Sequence, residues 1–455
     1  MSAIEWDQAL IEKYNYSGPR YTSYPTALEF TTDFGMSEFD AAAERYSQRP
    51  LSLYVHIPFC HKLCYYCGCN KVITRHQGKA DIYLDYLERE IQAMAPRFAG
   101  RTVTQMHWGG GTPTFLTATQ IQRLNGLLRR HFHFAGEGEF SIEIDPRRIE
   151  LSLLDVLSSE GFNRISLGVQ DFNQEVQRAV NREQDNGFIR ALVARAAELG
   201  FSSTNLDLIY GLPLQTRESF LHTLEQVVGM KPARLSVFNY AHLPSRFAAQ
   251  RKLKEVDMPA PAMKLAMLQD CIRYLTGRGY QFIGMDHFAL PDDRLAVAQR
   301  HGELHRNFQG YTTQGECDLL GLGVSAISMI GDAYSQNHKE LKQYYAQIDA
   351  LGHGQSVGYA LNEDDCLRRD LIKRLICNFE LEFAPLEAQY GIAFNDYFAE
   401  DFALLQPFVD DGLVLRKADR LEVTLKGRLL IRNICMCFDL HLRRQAHRQQ
   451  YSRVI

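Results

Sequence analysis

The stretch Tyr54-Val-His-Ile-Pro-Phe-Cys-His-Lys-Leu-Cys-Tyr-Tyr-Cys-Gly-Cys69 decides the fold and the chemistry predicted for this chain. It begins within a predicted strand, Leu51–Ile57, in which side chains alternate with the period of two of a pleated segment. Pro58 lacks a backbone donor and ends that strand. Four cysteines follow within ten residues, namely Cys60, Cys64, Cys67 and Cys69. The first three have the spacing C-x3-C-x2-C.

Three closely spaced thiolates on a loop that leaves a strand favour a cubane iron–sulfur cluster. They ligate three irons and leave the fourth open to a substrate or cofactor. The alternative is a zinc site, which usually has two spaced pairs of ligands and a closed tetrahedron. The spacing favours the cluster. It leaves the zinc site open, because Cys69 or His61 would complete four ligands.

With Tyr66 before its third cysteine, the motif resembles the signature of the radical S-adenosylmethionine (SAM) superfamily. Residues 54–70 and Pro19-Arg-Tyr-Thr-Ser-Tyr-Pro-Thr-Ala27 together resemble the oxygen-independent coproporphyrinogen III oxidase (dehydrogenase) family of porphyrin and haem biosynthesis. The resemblance runs from the amino-terminal arm to the last helix. It implies a [4Fe-4S] cluster with three metal ligands, Cys60, Cys64 and Cys67, whose open iron binds SAM.

Composition argues against several other classes of protein. A formal net charge of -4 over 455 residues gives no general case for binding nucleic acid or an anionic membrane. The first residues lack the basic and apolar segments of a signal peptide, and the most apolar run, residues 319–331, is shorter than the roughly 20 residues of a spanning helix. Ten cysteines without a disulfide-like pattern suit a reducing compartment. We therefore expect a soluble, cytoplasmic protein. Composition does not fix the oligomeric state, which we expect to be monomeric.

Strands that alternate with amphipathic helices predict a parallel α/β fold. The predicted strands are Leu51–Ile57, Val103–Trp108, Glu139–Ile144, Arg164–Gln170, Ser203–Tyr210 and Arg234–Asn239. Six βα units with right-handed crossovers form either a barrel or a doubly wound sheet, and the pattern hardly separates the two. The family resemblance implies a partial, six-unit β/α barrel that is open on one side for a large substrate.

Beyond the six units, one further strand is predicted at Gln281–Phe288, and around Asn362 the pattern changes to helices with a short hairpin. Predicted helices at Asp364–Phe379 and Phe394–Val409, and a last one from Lys426, suggest a winged-helix-like domain. We divide the chain into an amino-terminal arm (1–48), a catalytic barrel (49–360) and a mainly helical C-terminal domain (361–455). The modest charge of the last domain favours substrate covering or packing over nucleic-acid binding. The resemblance implies that the arm borders the active site.

Unusual residues follow the predicted strands, where parallel α/β folds bind ligands. Gly109-Gly110-Gly111-Thr112 follows the second strand and is either a tight turn or a backbone cradle. Glu143 and Asp145 end the third strand. Asp207 lies within an apolar strand, where a buried carboxylate needs a partner, and Arg182 is the candidate. An ordinary buried salt bridge is the alternative role of that pair.

The resemblance assigns these positions to two SAM molecules. The residues associated with the SAM on the cluster are Tyr54, Gly110, Glu143 and Ile327. Those associated with a second SAM are Tyr66, Gly111, Thr112, Gln170, Arg182, Asp207 and Ala241. Tyr54 and Cys69 are the candidate catalytic residues. Cys69 positions the second SAM or the substrate, relays hydrogen to a radical, or is merely a packed thiol.

The resemblance implies oxidative decarboxylation of two propionate side chains of coproporphyrinogen III, which become the vinyl groups of protoporphyrinogen IX. A 5′-deoxyadenosyl radical made from SAM abstracts the propionate β-hydrogen. The expected electron donor is a flavodoxin- or ferredoxin-type reductant, and the sequence does not identify the terminal electron acceptor. The alternative function is that of the haem-trafficking chaperone paralogue, but Cys69 and the arm at residues 19–27 favour the oxidase.

Overall fold

The structure, a computed structural model, describes residues 4–444, which form two compact units. The first unit takes the described residues of Met1–Glu29, Leu265–Gly315 and Leu361–Ile455, and the second takes Phe30–Lys264 and Glu316–Ala360. Each unit gathers segments that are distant in sequence. The sequential division after residues 48 and 360 remains a prediction.

Six parallel strands form the centre of the second unit, and all six predicted strands are confirmed. They are β1 (Leu51–Ile57), β2 (Thr102–Gly110), β3 (His133–Ile144), β4 (Arg164–Gln170), β5 (Ser203–Tyr210) and β6 (Arg234–Asn239). The strands pair in chain order from β1 to β6. Because this order never reverses, right-handed crossovers place every helix on the same face, as in a barrel and not as in a doubly wound sheet.

The other edge of β1 shows that the barrel is partial. There β1 pairs in parallel with β7 (Asp318–Leu322) and not with β6. Three antiparallel strands extend the sheet beyond β7, namely β8 (Ile327–Ile330), β9 (Ala333–Asn337) and β10 (Gln355–Ala360). The predicted six-unit β/α barrel is therefore confirmed.

Helices follow the strands and pack their apolar faces against them. Their bounds are Gly78–Met94, Ala118–His131, Leu153–Ser159, Gln174–Ala179, Asn186–Glu198 and Arg217–Gly229, with Met36–Arg45 before β1 and Leu341–Leu351 before β10. The helix Pro261–Gly277 belongs mainly to the first unit. The hydroxyl of Thr117 accepts a hydrogen bond from Gln120 N, and the Gln120 side chain returns to the Thr117 backbone. This capping box fixes the start of the helix that follows the glycine run.

The first unit combines helices with short antiparallel strands. Its helices are Gln8–Tyr14, Arg294–Arg300, Glu363–Asn378, Ala384–Tyr390, Phe394–Tyr397, Ala399–Asp410, Ile431–Met436 and Leu440–Arg444. Its strands are Gln281–Gly284, His287–Ala289, His305–Asn307, Gly310–Thr312, Glu380–Glu382, Val414–Arg416 and Arg420–Val423. The mainly helical C-terminal domain is confirmed. Within residues 4–444, no helix has both the length and the apolar character needed to cross a bilayer.

Residues 19–24 of the amino-terminal arm pack within the first unit. Arg432 Nε donates to Pro19 O over 2.9 Å, and Tyr21 Oη donates to Asp439 Oδ2 over 2.9 Å. Tyr24 is 2% exposed. Tyr21 and Tyr24 are thus buried in this unit, and the expectation that the arm borders the active site remains a prediction.

Three element predictions were wrong. Gln281–Phe288 is a hairpin and not one strand, because Gly284 (φ 146°) and Met285 (φ 53°) turn the chain. The helix predicted at Phe394–Val409 is two helices, since Phe398 leaves the helical conformation (ψ 21°). The last helix is divided as well: a 3-10 turn at Gly427–Leu430 precedes the two short helices that end the described chain.

Candidate active site

The cysteine loop leaves the carboxyl end of β1 and is held mainly by its backbone. Phe59–Cys60 pairs in parallel with Val72–Ile73, which closes the loop at its base. Further along, Asn181 Nδ2 donates to Leu63 O over 2.7 Å. Because these bonds use no thiol, the sulfur atoms remain available as ligands.

The thiols of the loop differ in protonation. Burial raises the pKa of Cys60 to about 12. A hydrogen bond from the Cys69 thiol lowers the pKa of Cys67 to about 6, and the positive charge of Lys71 acts in the same direction. Cys67 therefore ionises more readily than Cys60, and metal binding competes with the proton at both sulfur atoms.

Two guanidinium groups face the sulfur of Cys64. Arg147 Nη2 donates to Cys64 Sγ over 3.3 Å, and Arg182 Nη1 donates to it over 3.4 Å. Asp145 pairs with Arg147 at 2.6 Å and with Arg182 at 3.4 Å. Burial acts to raise the pKa of Asp145, but the two arginines hold it below its ordinary value. Two cations and one anion leave a net positive charge beside the sulfur of Cys64.

The chemistry and spacing of the three cysteines suit an iron–sulfur cluster. In a cubane cluster each thiolate binds a different iron, so the sulfur atoms need not point at one centre. The donor set Cys60, Cys64 and Cys67 therefore suits a [4Fe-4S] cluster, and the positive charge beside Cys64 suits its thiolate ligand.

The glycine run at the end of β2 lies directly against β1 and the start of the cysteine loop. Gly110 has φ 116°, and a Cβ there would lie 2.6–2.8 Å from the ring atoms of His56. A Cβ on Gly111 would lie 2.5 Å from Pro58 O. Gly110 N donates to Glu143 Oε2 over 3.3 Å. Both close approaches exclude larger residues, so the run is more than a tight turn.

The residues of the first predicted SAM set meet where β1, β2 and β3 end. Tyr54 stacks on His107 with ring centroids 6.0 Å apart and planes 15° apart. His107 Nε2 lies 3.3 Å from Glu143 Oε1, and Tyr54 Oη lies 3.0 Å from His56 Nδ1. Burial lowers the pKa of His56, which favours the neutral imidazole in this contact. Tyr54 and Glu143 are thus positioned through two histidines.

Ile327 reaches the same strand ends from β8. Tyr54 lies opposite Gly321 in the parallel register of β1 and β7. A Cβ on Gly321 would lie 2.5 Å from Ile327 O, so the backbone of Ile327 packs on the residue beside Tyr54. All four residues of the first set therefore lie in the same part of the sheet. Gly110 and Glu143 are joined by a hydrogen bond.

The second predicted SAM set gathers around β4 and β5. A Cβ on Gly168 would lie 2.9 Å from Arg182 Nη2 and 3.0 Å from Gln170 Nε2, so both side chains cross this glycine. Gly168 lies opposite Asp207 in the register of the two strands. Gln170 has φ 68°, a conformation that ends β4 and turns its side chain back. These three side chains therefore surround one point of the sheet.

The predicted ion pair between Arg182 and Asp207 was wrong. Asp207 accepts hydrogen bonds from Ser166 Oγ at 3.0 Å and Asn205 Nδ2 at 2.8 Å, which supply the partners that its burial requires. Burial and, secondly, the negative charge of Glu143 raise the pKa of Asp207 to about 6. Arg182 is paired with Asp145 instead, because Asp145 continues the chain past β3 towards the cysteine loop.

The other members of the second set lie beside the cysteine loop. Gln250 Nε2 donates to Tyr66 O over 3.1 Å and to Ala241 O over 3.2 Å, which ties the loop to the segment after β6. Thr112 Oγ1 lies 3.4 Å from Cys60 Sγ. The structure thus brings Tyr66 and Ala241 together and places Thr112 at a cluster cysteine.

Sequence reasoning missed four residues of this site, namely His56, His107, Arg147 and Gln250. His56 lies two residues after Tyr54, and His107 lies two residues before Gly109. Residues two apart in a strand share a face, so the sequence contained a signal for both histidines. Arg147 lies two residues after Asp145, and a basic residue just past a strand end is a weak signal. Gln250 lies in an irregular segment, and nothing in the sequence pattern marks it.

Comparison with known proteins agrees with this geometry. Residues 54–227 match the radical SAM superfamily, and residues 361–430 match the HemN C-terminal domain. The chain is 67% identical to the oxygen-independent coproporphyrinogen III oxidase of Escherichia coli strain K12, over 99% of both chains. It is 50% identical to the Pseudomonas aeruginosa protein of the same name, over the full length of both. A solved structure of coproporphyrinogen III oxidase (HemN) from Escherichia coli, a radical SAM enzyme, is 64% identical with a TM-score of 0.94, covering 97% of this chain and all of that one.

Proposed function

Because the chain belongs to the radical SAM family of oxygen-independent coproporphyrinogen III oxidases, we propose that Cys60, Cys64 and Cys67 are the only protein ligands of its [4Fe-4S] cluster. The family implies both the cluster and SAM. The observation that carries the proposal is the pair of arginine hydrogen bonds to Cys64 Sγ, at the loop where Gly110 and Glu143 also meet. Hydrogen-bond donors and positive charge beside the sulfur atom suit a thiolate ligand of a metal cluster.

The reaction is the anaerobic oxidation of coproporphyrinogen III. Two propionate side chains lose CO2 and become vinyl groups, which gives protoporphyrinogen IX. When bound, the cluster and SAM together supply a 5′-deoxyadenosyl radical, which can remove hydrogen from an unactivated carbon. The protein binds and orients the reactants and excludes water and oxygen from the radical.

Tyr54, Gly110, Glu143 and Ile327 hold the SAM molecule at the cluster. The carboxylate of Glu143 accepts hydrogen bonds from cationic or hydroxyl groups of this ligand. It is positioned by Gly110 N and His107 Nε2, each at hydrogen-bond distance. Two such contacts fix the rotamer before the ligand arrives, which reduces the entropy lost on binding. Ile327 contributes through its backbone, which packs on Gly321 opposite Tyr54.

A second SAM molecule is held by Tyr66, Gly111, Thr112, Gln170, Arg182, Asp207 and Ala241. Asp207 suits ribose hydroxyls, which donate to a carboxylate, and Arg182 suits the ligand carboxylate. Arg182 also donates to Gly168 O and to Cys64 Sγ. One guanidinium therefore connects the second SAM site to a cluster ligand.

Cys69 is a catalytic residue and not a fourth ligand. It is exposed, whereas Cys60 and Cys64 are buried. Its thiol donates to Cys67, and the negative charge of Cys67 raises the pKa of Cys69. Cys69 therefore holds its proton more tightly than Cys67 does, which suits positioning of a reactant or hydrogen transfer to a radical. Burial raises the pKa of Tyr54 as well, so its hydroxyl is a neutral hydrogen-bonding group.

A flavodoxin- or ferredoxin-type protein reduces the cluster, and the enzyme works as a cytoplasmic monomer without nucleic acid. High identity to curated oxidases along the whole chain favours the oxidase over the haem-trafficking chaperone paralogue.

The test is anaerobic reconstitution with iron and sulfide, followed by incubation with SAM, a reductant and coproporphyrinogen III. The expected products are protoporphyrinogen IX, CO2, methionine and 5′-deoxyadenosine. Haem binding without decarboxylation, in protein with a full cluster, would instead assign the chain to the chaperones.

A further inference from the structure

Two arginines of the first unit have no carboxylate partner. Arg306 lies in the strand His305–Asn307 and is 6% exposed, yet its Nε and Nη1 have no hydrogen-bond partner among residues 4–444. Arg428 is half-buried, and its Nε has no hydrogen-bond partner in the described chain either. Within residues 4–444, neither side chain forms an ion pair with Asp or Glu. Positive charge is therefore held below the surface without compensation.

Both arginines lie on one pair of aromatic rings. Arg306 Cζ is 4.7 Å from the ring centroid of Tyr311, its partner across the hairpin. Arg428 Cζ is 4.7 Å from the ring centroid of Phe379. The two rings meet at Gly284, where an added Cβ would lie 2.5 Å from Tyr311 Oη and 3.3 Å from Phe379 Cζ. The Tyr311 hydroxyl has no hydrogen-bond partner in the described chain either.

Packing on aromatic rings does not explain these charges. A cation–π contact stabilises by roughly 0.5–2 kcal/mol and uses the face of the guanidinium, leaving its in-plane N–H donors unused. Each buried donor without a partner costs about 1–3 kcal/mol. Burial also lowers the pKa of Arg428, as expected for a cation without a counter-charge. An anion that accepts from these donors would remove both costs.

We propose that Arg306 and Arg428 bind propionate carboxylates of the tetrapyrrole substrate, in a site built from residues of the first unit. This inference rests on the proposed function, which makes coproporphyrinogen III, a molecule with four propionates, the substrate. The planar guanidinium fork matches a carboxylate through two parallel hydrogen bonds. The Tyr311 hydroxyl, which has no hydrogen-bond partner in the described chain, offers a further donor.

The test measures binding of coproporphyrin III, the stable oxidised form with four propionates, to the folded full-length protein by fluorescence titration. Mesoporphyrin IX, which has two propionates, is the comparison ligand. Arg306→Gln and Arg428→Gln are each expected to weaken coproporphyrin binding by at least about tenfold. They should also reduce the preference for coproporphyrin over mesoporphyrin, an effect that general destabilisation would not produce. The matched control is Arg278→Gln, an exposed arginine whose Cζ lies 5.1 Å from the ring of Tyr274.

Unchanged coproporphyrin affinity and unchanged ligand preference in both folded variants would overturn the inference. If Arg306→Gln does not fold, Arg306→Lys keeps the charge but loses the fork, and undiminished affinity there would count equally against it. A third outcome would be phosphate binding that is lost in Arg306→Gln while the porphyrin affinity of this variant is unchanged. That outcome would show a phosphate site and would also overturn the inference. Turnover of the wild-type enzyme is measured separately, so porphyrin binding without decarboxylation would contradict the proposed function and not this site.

Discussion

Arg147 donates a hydrogen bond to the sulfur of Cys64 over 3.3 Å, while Asp145 holds its guanidinium at 2.6 Å. Hydrogen bonds and positive charge at a ligand sulfur stabilise the reduced, more negative state of an iron–sulfur cluster. Arg182 makes the second such contact but is also assigned to SAM. Arg147 is therefore the residue at which this electrostatic effect can be measured alone.

We expect Arg147→Gln to shift the midpoint potential of the reconstituted cluster to a more negative value. An EPR-monitored redox titration without SAM measures this shift. Arg148→Gln is the matched control, because Arg148 is the next residue and is exposed. Equal potentials in the two variants would show that the Arg147 contact does not influence the cluster.

Cys67 and Cys69 lie two residues apart but have different proposed roles. Cys67→Ala is expected to remove most bound iron and the brown colour, as are Cys60→Ala and Cys64→Ala, because each removes one of three ligands. Cys69→Ala is expected to keep the iron and bind SAM but lose most decarboxylation. Iron content and product formation are measured on the same preparations. Loss of iron from Cys69→Ala comparable to that from Cys67→Ala would make Cys69 a ligand, and undiminished turnover would make it a packed thiol.

The six strands were predictable because each one alternates or is continuously apolar between clear breaks, and local pattern decides such elements. The identity of the cluster loop was predictable because its four cysteines are adjacent in sequence. Pairing of buried charges was not predictable in the same way. Arg182 binds Asp145 and not Asp207 because the turn after β3 directs Asp145 towards the loop, a fact of tertiary geometry that alternation does not contain.

The hairpin at residues 281–289 illustrates a second limit. One strand was predicted there, but Gly284 and Met285 both take positive φ and reverse the chain. Met is an unusual residue in that conformation, so propensity gave no signal. Gln250 likewise contributes through a side chain in an irregular segment, where periodicity is absent.

Gly110 provides a test of the close contact between the glycine run and β1. Gly110→Ala is expected to destabilise the protein by about 2–4 kcal/mol, since its φ of 116° is strained for alanine and the new Cβ would overlap the His56 ring. Thermal unfolding measures the effect. Gly126→Ala is the control: it lies within the helix Ala118–His131 with no atom within 4 Å of the new Cβ, and should be stabilising by about 0.5–1 kcal/mol. A Gly110→Ala protein as stable as the wild type would disprove the close approach.

The raised pKa of Asp207 predicts a pH dependence of stability. Its pKa of about 6 in the folded state exceeds the ordinary value of 3.8, so the folded state binds the proton more tightly than the unfolded state. Stability attributable to Asp207 is therefore greatest below pH 4 and falls as the pH rises towards and past 6, by on the order of 2–3 kcal/mol. Melting temperatures of cluster-free wild type and Asp207→Asn measure this.

The melting temperature of Asp207→Asn minus that of the wild type should be larger at pH 7.5 than at pH 4.5. Asn removes the buried negative charge while it retains hydrogen-bonding atoms for Ser166 and Asn205. A difference between the two proteins that stays constant across this pH range would show that Asp207 does not titrate there.

The most direct test of the central claim follows the hydrogen atom that the radical removes. Coproporphyrinogen III labelled with deuterium at the propionate β-carbons is incubated anaerobically with the reconstituted enzyme, SAM and a reductant, and 5′-deoxyadenosine is analysed by mass spectrometry. The proposed mechanism predicts deuterium in 5′-deoxyadenosine together with formation of protoporphyrinogen IX. Protoporphyrinogen IX formed alongside 5′-deoxyadenosine that contains no deuterium would contradict it.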